Sequence, residues 1–149
     1  GEYGYDFNLA VMGENFSQYP DIFLDAHKSF ERQIVQWGYT DSFTDYAQWL
    51  WKADILPVTS NQEFFGASVM EAMYCDTWPI LPNRLTYPEL LPPDQHKDHL
   101  YSDDQDLFNK IIWAIENHEK IKATHFHPIA QPFDWASMAP MYDNAMEQV

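Results

Sequence analysis

Cysteine is almost absent from this chain: Cys75 is the single one in 149 residues, so no internal disulfide can form. A lone thiol suits a reducing compartment, and the expected location is cytoplasmic. Positive charge is scarce too, with eight Lys and Arg against twenty-three Asp and Glu for a formal charge of -15. Lys28, Arg32, Lys52, Arg84, Lys97 and Lys110 stand singly, and only Lys120 and Lys122 form a loose pair. That scatter excludes the basic footprint of a DNA-binding or anionic-membrane-binding protein. Glycine is rare, five in all, and Asn-Gly and Asp-Gly hairpin signals are nearly missing, which argues against an all-β sugar-binding module. No charged leader with an apolar run marks secretion, and no apolar run is long enough to span a bilayer. Internal repeats, low-complexity tracts and a dividing linker are also lacking.

What is present is core-forming material, 46% hydrophobic and 17% aromatic, enough for one packed domain over residues 1–149. The start, GEYGYDFNLAVMG, lacks an initiator Met and enters a strand-like run almost at once, as a piece of a longer protein would.

Periodicity predicts an alternation of strands and helices. Phe7 to Met12 reads as a buried strand closed by Gly13. Pro20 then opens a helix to about residue 30, with Ile22, Phe23, Ala26 and Phe30 at helical spacing. Gln33 to Trp37 reads as a strand or as an extension of that helix. Ser42 and Asp45 resemble a capping box for a helix over 43–53, with Tyr46, Ala47, Leu50 and Ala53 as its stripe. Asp54 to Thr59 is a compact strand, Ala67 to Cys75 a short helix, and Trp78 to Leu81 a further strand. Pro82 to Asp98 holds four of the ten prolines and reads as loop with one turn at Tyr87 to Leu91, followed by a possible short strand near Leu100. Ser102 with Gln105 caps a helix striped by Leu107, Phe108, Ile111, Ile112 and Ile115. Asp134 caps a last helix interrupted or kinked at Pro140. Such an order predicts an α/β fold with a Rossmann-like, doubly wound parallel sheet.

The stretch SNQEFFGASVMEAMYCD, Ser60 to Asp76, carries the candidate chemistry. The helix Ala67 to Cys75 is apolar or small almost all round, so it is expected to be buried, and Glu71 alone breaks the pattern. A buried carboxylate needs a partner, and Glu63, eight residues earlier in the loop after a strand, would share its cleft. Two such carboxylates can accept hydrogen bonds from vicinal sugar hydroxyls, while the first amides of the helix can face a phosphate. From spacing alone the plainer reading is the stronger: Glu71 as a helix-surface residue and Glu63 as a loop charge.

Resemblance shifts that balance. EFFGASVMEAMYCDTWPILPNRLTYPEL resembles the C-terminal half of retaining GT-B glycosyltransferases of family 4, with Glu63, Phe65, Gly66, Glu71, Ala72, Pro79, Pro88 and Glu89 on the pattern. More narrowly, GENF, PDIF, WGY, EFFG, EA-x-YC and L-x-YPE resemble the tRNA-queuosine α-mannosyltransferase family. The resemblance implies the C-terminal nucleotide-sugar-binding domain of an enzyme that moves mannose from GDP-mannose to queuosine in an aspartate tRNA, with retention. It implies that Glu63 lies against the donor sugar and that amides at Phe64, Phe65 and Gly66 bond its hydroxyls. Amides at Ala67 and Ser68 would approach the diphosphate, and Glu71 would hold the ribose. No metal or other cofactor is expected, because cationic side chains and a helix N-terminus would stabilise the leaving phosphate. The same resemblance implies that the first strand–helix unit, its phosphate-neutralising Arg and Lys, and the N-terminal acceptor domain that would meet the tRNA lie before Gly1. The 149 residues alone are therefore expected to be inactive. Where the family has glycine after the E-A-x-x-C helix, this chain has Asp76, which tolerates a left-handed conformation better than most residues. A different nucleotide sugar and acceptor, or a non-catalytic nucleotide-sugar-binding module, are the alternative readings.

Other candidates carry less. His96 with His99, and His125 with His127, lack the company of a metal site and are expected as surface histidines. Cys75 has no adjacent basic group and is expected as a buried structural thiol. Most of Trp37, Trp49, Trp51, Trp78, Trp113 and Trp135 are expected in the core, and Asp103, Asp104 and Asp106 suit a helix N-terminus.

Overall fold

A computed structural model of the chain describes residues 4–12, 21–60 and 66–147. The chain divides into two units, meeting between Trp49 and Leu50.

In the first unit, β1 (Leu9–Val11) pairs in parallel with β2 (Ile34–Trp37), and α1 (Asp21–Ser29) connects them. Leu9 lies opposite Ile34 and Val11 opposite Trp37, with an irregularity after Leu9. Gln33 to Trp37 is therefore strand and not an extension of the helix. The helix stops because Ile34, Val35 and Trp37 favour the pleated surface, and Gly38, at φ 91, ends the strand in a conformation that favours glycine. The Ser42 hydroxyl accepts from the Asp45 amide at 3.1 Å and donates to its carboxylate at 2.8 Å, starting α2 (Phe43–Lys52) as the capping pattern predicts.

The second unit is built on a three-stranded parallel sheet, β3 (Ile55–Pro57), β4 (Trp78–Pro82) and β5 (Leu100–Tyr101), with β4 in the middle. Ile55 pairs with Trp78, Pro57 with Ile80, Leu81 with Leu100 and Pro82 with Tyr101. Every residue of β4 is buried, as its unbroken apolar run requires of a strand covered on both faces. Between β3 and β4 runs α3 (Ala67–Tyr74). Between β4 and β5 come two 3-10 turns, at Tyr87–Leu90 and Pro93–Gln95, and the short α4 (His96–His99), where the sequence predicts one turn in a loop. Then follow α5 (Asp104–Glu116), α6 (His118–Lys122), α7 (His127–Ala130) and α8 (Trp135–Glu147). All strand pairs among the described residues are parallel and alternate with helices, which is the α/β class expected.

Two prolines sit in the central strand, where a missing N–H normally breaks a ladder. Pro79 faces the edge where β5 has not yet begun, and its carbonyl is bonded to His99 Nδ1 at 2.7 Å. That nitrogen faces a carbonyl, so it carries the proton. Thr77, buried before β4, donates to the carbonyls of Ala53 at 3.1 Å and Leu50 at 3.3 Å.

The cap of α5 is not Ser102 with Gln105. Asp103, in extended conformation, accepts from the Asp106 amide at 2.8 Å, and the Asp106 carboxylate accepts from the Ser102 amide at 3.0 Å. The pattern is a capping box shifted by one residue, since carboxylates satisfy amides at the positive end of a helix better than a hydroxyl and an amide side chain do. In the stripe of α5, Leu107 and Ile111 pack on the core but Phe108 is exposed. Asp134 caps α8 through the Ala136 amide, and the helix includes Pro140 without ending there.

Candidate functional site

Gly66 begins α3. Its φ of +67 lies in the left-handed region, and a Cβ there would sit 2.5 Å from Leu90 Cδ1, so glycine is required twice over. Gly66 thereby rests against Leu90 of the YPEL turn, from which the sequence separates it by a helix and a strand.

The helix that follows is two-faced. Val69, Ala72 and Met73 are buried, while Ala67, Ser68 and Glu71 are exposed. At roughly 100° per residue, positions 67 and 71 lie within about 40° of one another and 68 adjoins them. Burial expected on most sides of α3 is thus cut back to one face, and Glu71 is exposed, not buried. Small residues made the exposed face look apolar in sequence. The structure brings Ala67, Ser68 and Glu71 onto one open face beginning at the helix N-terminus. Glu63, Phe64 and Phe65 lie outside the described residues.

Behind that face, the end of α3 is fastened to α7. Asp76 adopts φ 61, and its carboxylate accepts from the Phe126 and His127 amides, both at 2.8 Å, and lies 3.1 Å from His125 Nδ1. Burial opposes the charge, but the bonds from the His127 backbone, the His125 ring and the Phe126 backbone outweigh it and hold the carboxyl below its usual range. His127 Nδ1 in turn donates to the Tyr74 carbonyl at 2.8 Å. Cys75 is half-buried, and burial, then the neighbouring Asp76 and Glu71 charges, push its thiol up, away from nucleophilic use.

At the carboxyl ends of β3, β4 and β5, where open parallel sheets bind ligands, lies a depression of about 460 Å3. Thr59, Arg84, Tyr101, Ser102, Asp103, Asp104 and Leu107 line it. Arg84 Nη2 donates to the Ser60 carbonyl at 3.2 Å, and the Tyr101 hydroxyl donates to the Val58 carbonyl at 2.8 Å. Burial pushes the Tyr101 phenol up while the Arg84 guanidinium beside it pulls the other way, so it remains a neutral donor. The sequence reading passed over both residues. The available signal was position, since each closes or follows within three residues a predicted strand.

Of the four histidines expected at the surface, His125 is exposed, and the other three are not plain surface residues. His99 is only 3% exposed, tilted against Trp78 at 4.2 Å and edge-on to Phe126 at 5.1 Å. His96 Nε2 donates to the carbonyls of Pro88 at 2.8 Å and Leu91 at 3.0 Å, bracing the YPEL turn. The tryptophan expectation is corrected as well: Trp78 is buried, but Trp51 and Trp135 are 63% and 74% exposed. Trp113 is at the surface beside Trp78, with Lys120 Nζ 4.9 Å from its ring.

The family described as "Glycosyl transferases group 1" matches residues 3–127 of this chain. A tRNA-queuosine alpha-mannosyltransferase from Drosophila melanogaster is 32% identical over 106 residues, which cover 71% of this chain and 27% of that protein. The chain therefore spans about a quarter of the length of this curated relative. No helix among the described residues is long and apolar enough to cross a membrane.

Proposed function

On the premise that the chain belongs to the group 1 glycosyl transferases, we propose that residues 1–149 are the C-terminal, donor-binding part of a retaining mannosyltransferase. It uses GDP-mannose and modifies queuosine in an aspartate tRNA, the acceptor being held by an N-terminal domain. Support for mannose transfer to tRNA queuosine comes from the relative of that name. The observation that carries the site is the open face of α3, on which Ala67 and Ser68 at the positive helix end adjoin Glu71. Amides at that end suit a diphosphate, and a carboxylate one turn on suits the two ribose hydroxyls. Glu63 takes the place beside the donor sugar, and Phe64, Phe65 and Gly66 supply amides to its hydroxyls.

Mannosyl transfer by the full-length protein, from labelled GDP-mannose to queuosine-containing tRNA, tests this reading. Glu71→Ala should weaken donor binding by about 1 to 3 kcal/mol through lost charge-assisted hydrogen bonds, and Glu63→Ala should mainly lower kcat. Equal donor affinity and turnover in wild type and both variants would return Glu71 to an ordinary surface residue and Glu63 to a loop charge. Transfer from another nucleotide sugar would keep the family and replace the donor.

A further inference from the structure

The ladder between β3 and β4 stops at a place where two side chains take over from it. Trp78 N–H donates to the Asp54 carbonyl and Val58 N–H to the Ile80 carbonyl, both at 2.9 Å. The alternation of a parallel ladder then puts the next β4 donors at positions 82 and 84, opposite the carbonyls of Val58 and Ser60. Neither donation is made. Residue 82 is proline and has no N–H, and the Arg84 amide turns back onto the Pro82 carbonyl at 2.8 Å. The two carbonyls are nevertheless satisfied: Val58 by the Tyr101 hydroxyl at 2.8 Å, and Ser60 by the Arg84 guanidinium at 3.2 Å. Side chains from β5 and from the turn after β4 thus continue, one for one, the bonds that the backbone stops making. That turn carries backbone strain, since Leu85 sits at φ 55, a left-handed conformation unfavourable to leucine. Asn83 N–H to the Tyr101 carbonyl, at 2.9 Å, ties the turn to β5.

We propose that Arg84 and Tyr101 are positioning residues that clamp the exit of β3 at Val58 and Ser60 and so set the path by which the chain reaches Glu63, three residues on. The proposal rests on the mannosyltransferase reading for its consequence in turnover, but the clamp itself does not. A backbone-to-backbone ladder would hold the exit in the plane of the sheet. A clamp of side chains lets it leave the sheet while its carbonyls stay bonded, which a loop feeding a ligand site at a strand end needs. The charges that face Arg84 across the depression are those of Asp103 and Asp104.

The test uses the full-length protein with Arg84→Ala, Tyr101→Phe and, as a control outside the depression, Glu119→Gln on the exposed surface of α6. Amide hydrogen exchange in peptides covering residues 56–66 should rise about 3- to 10-fold in the first two variants, the factor by which one lost hydrogen bond shifts a local opening. GDP affinity should stay within about 2-fold while kcat for mannosyl transfer falls about 10- to 100-fold, the pattern of a misplaced group and not of lost binding. Glu119→Gln should change neither. Unaltered exchange in both Arg84→Ala and Tyr101→Phe overturns the clamp, and raised exchange with unaltered kcat overturns its role in positioning. A kcat loss in Glu119→Gln equal to that in Tyr101→Phe also overturns that role, because the loss would then not be specific to the clamp. If the wild-type protein transfers no mannose, the functional reading falls, and the exchange measurement alone decides the clamp.

Discussion

Asp76 does the work of a helix cap and of a tether with one side chain. Its backbone takes the left-handed position that glycine would fill, and its carboxylate holds the two amides that begin α7. Asp76→Gly keeps the backbone conformation and removes the tether, so it should cost about 1 to 3 kcal/mol, the range for leaving buried donors unsatisfied, measured by urea unfolding. Its folded pKa is depressed, so the stability it supplies is present above the unfolded carboxyl range and is lost as pH falls through the folded value. His99 acts at a higher pH with a different origin. Burial lowers its pKa, against the bond to the Pro79 carbonyl that works the other way, so the folded protein holds it neutral. The unfolded chain takes up the proton first, and stability should fall as pH drops below about 6.5. Thermal unfolding followed from pH 8 to pH 5.5 should show that loss in wild type, and His99→Gln should lack it.

At the scale of the element, α3 separates packing from chemistry by face. Met73, fully buried, should cost about 2 to 5 kcal/mol when cut to alanine. Glu71→Gln, on the open face, should change stability by no more than about 0.5 kcal/mol. Melting temperatures of the two variants check the division, and a large loss for Glu71→Gln would make that residue structural. The strand β4 shows the same economy: its prolines fall where no neighbouring strand calls for their N–H, or where a tyrosine replaces it. Elements of strong periodicity were legible from residues alone, among them the Ser42–Asp45 box and the run from Trp78. The cap of α5 and the helical turns between Pro82 and His99 were less so, because proline-rich sequence reads as loop whether or not short-range bonds close it into turns.

Across the whole molecule the dominant quantity is the charge of -15, which repels itself in the compact state and disfavours any anionic ligand. Raising NaCl from about 10 mM to about 300 mM should therefore raise Tm, since screening acts most on exposed like charges. A flat or falling Tm over that range would mean that specific ion pairs, such as Lys122 with Asp54 at 3.7 Å, outweigh the general repulsion.

The amino-acid sequence by itself determined the α/β class, the parallel sense of the strands and the place of the glycine before α3, because these follow from local periodicity and backbone preference along consecutive residues. It also carried the motif that places the chain in its family. Only the tertiary structure decided which side of α3 is open, that His99 is buried between two rings, and that Arg84 and Tyr101 grip the end of β3. The grip on β3 depends on residues 24 and 43 positions apart in the chain, and the other two on which face a neighbour covers. A short helix of small residues presents the same pattern to water and to a core, and only the packing around it distinguishes them.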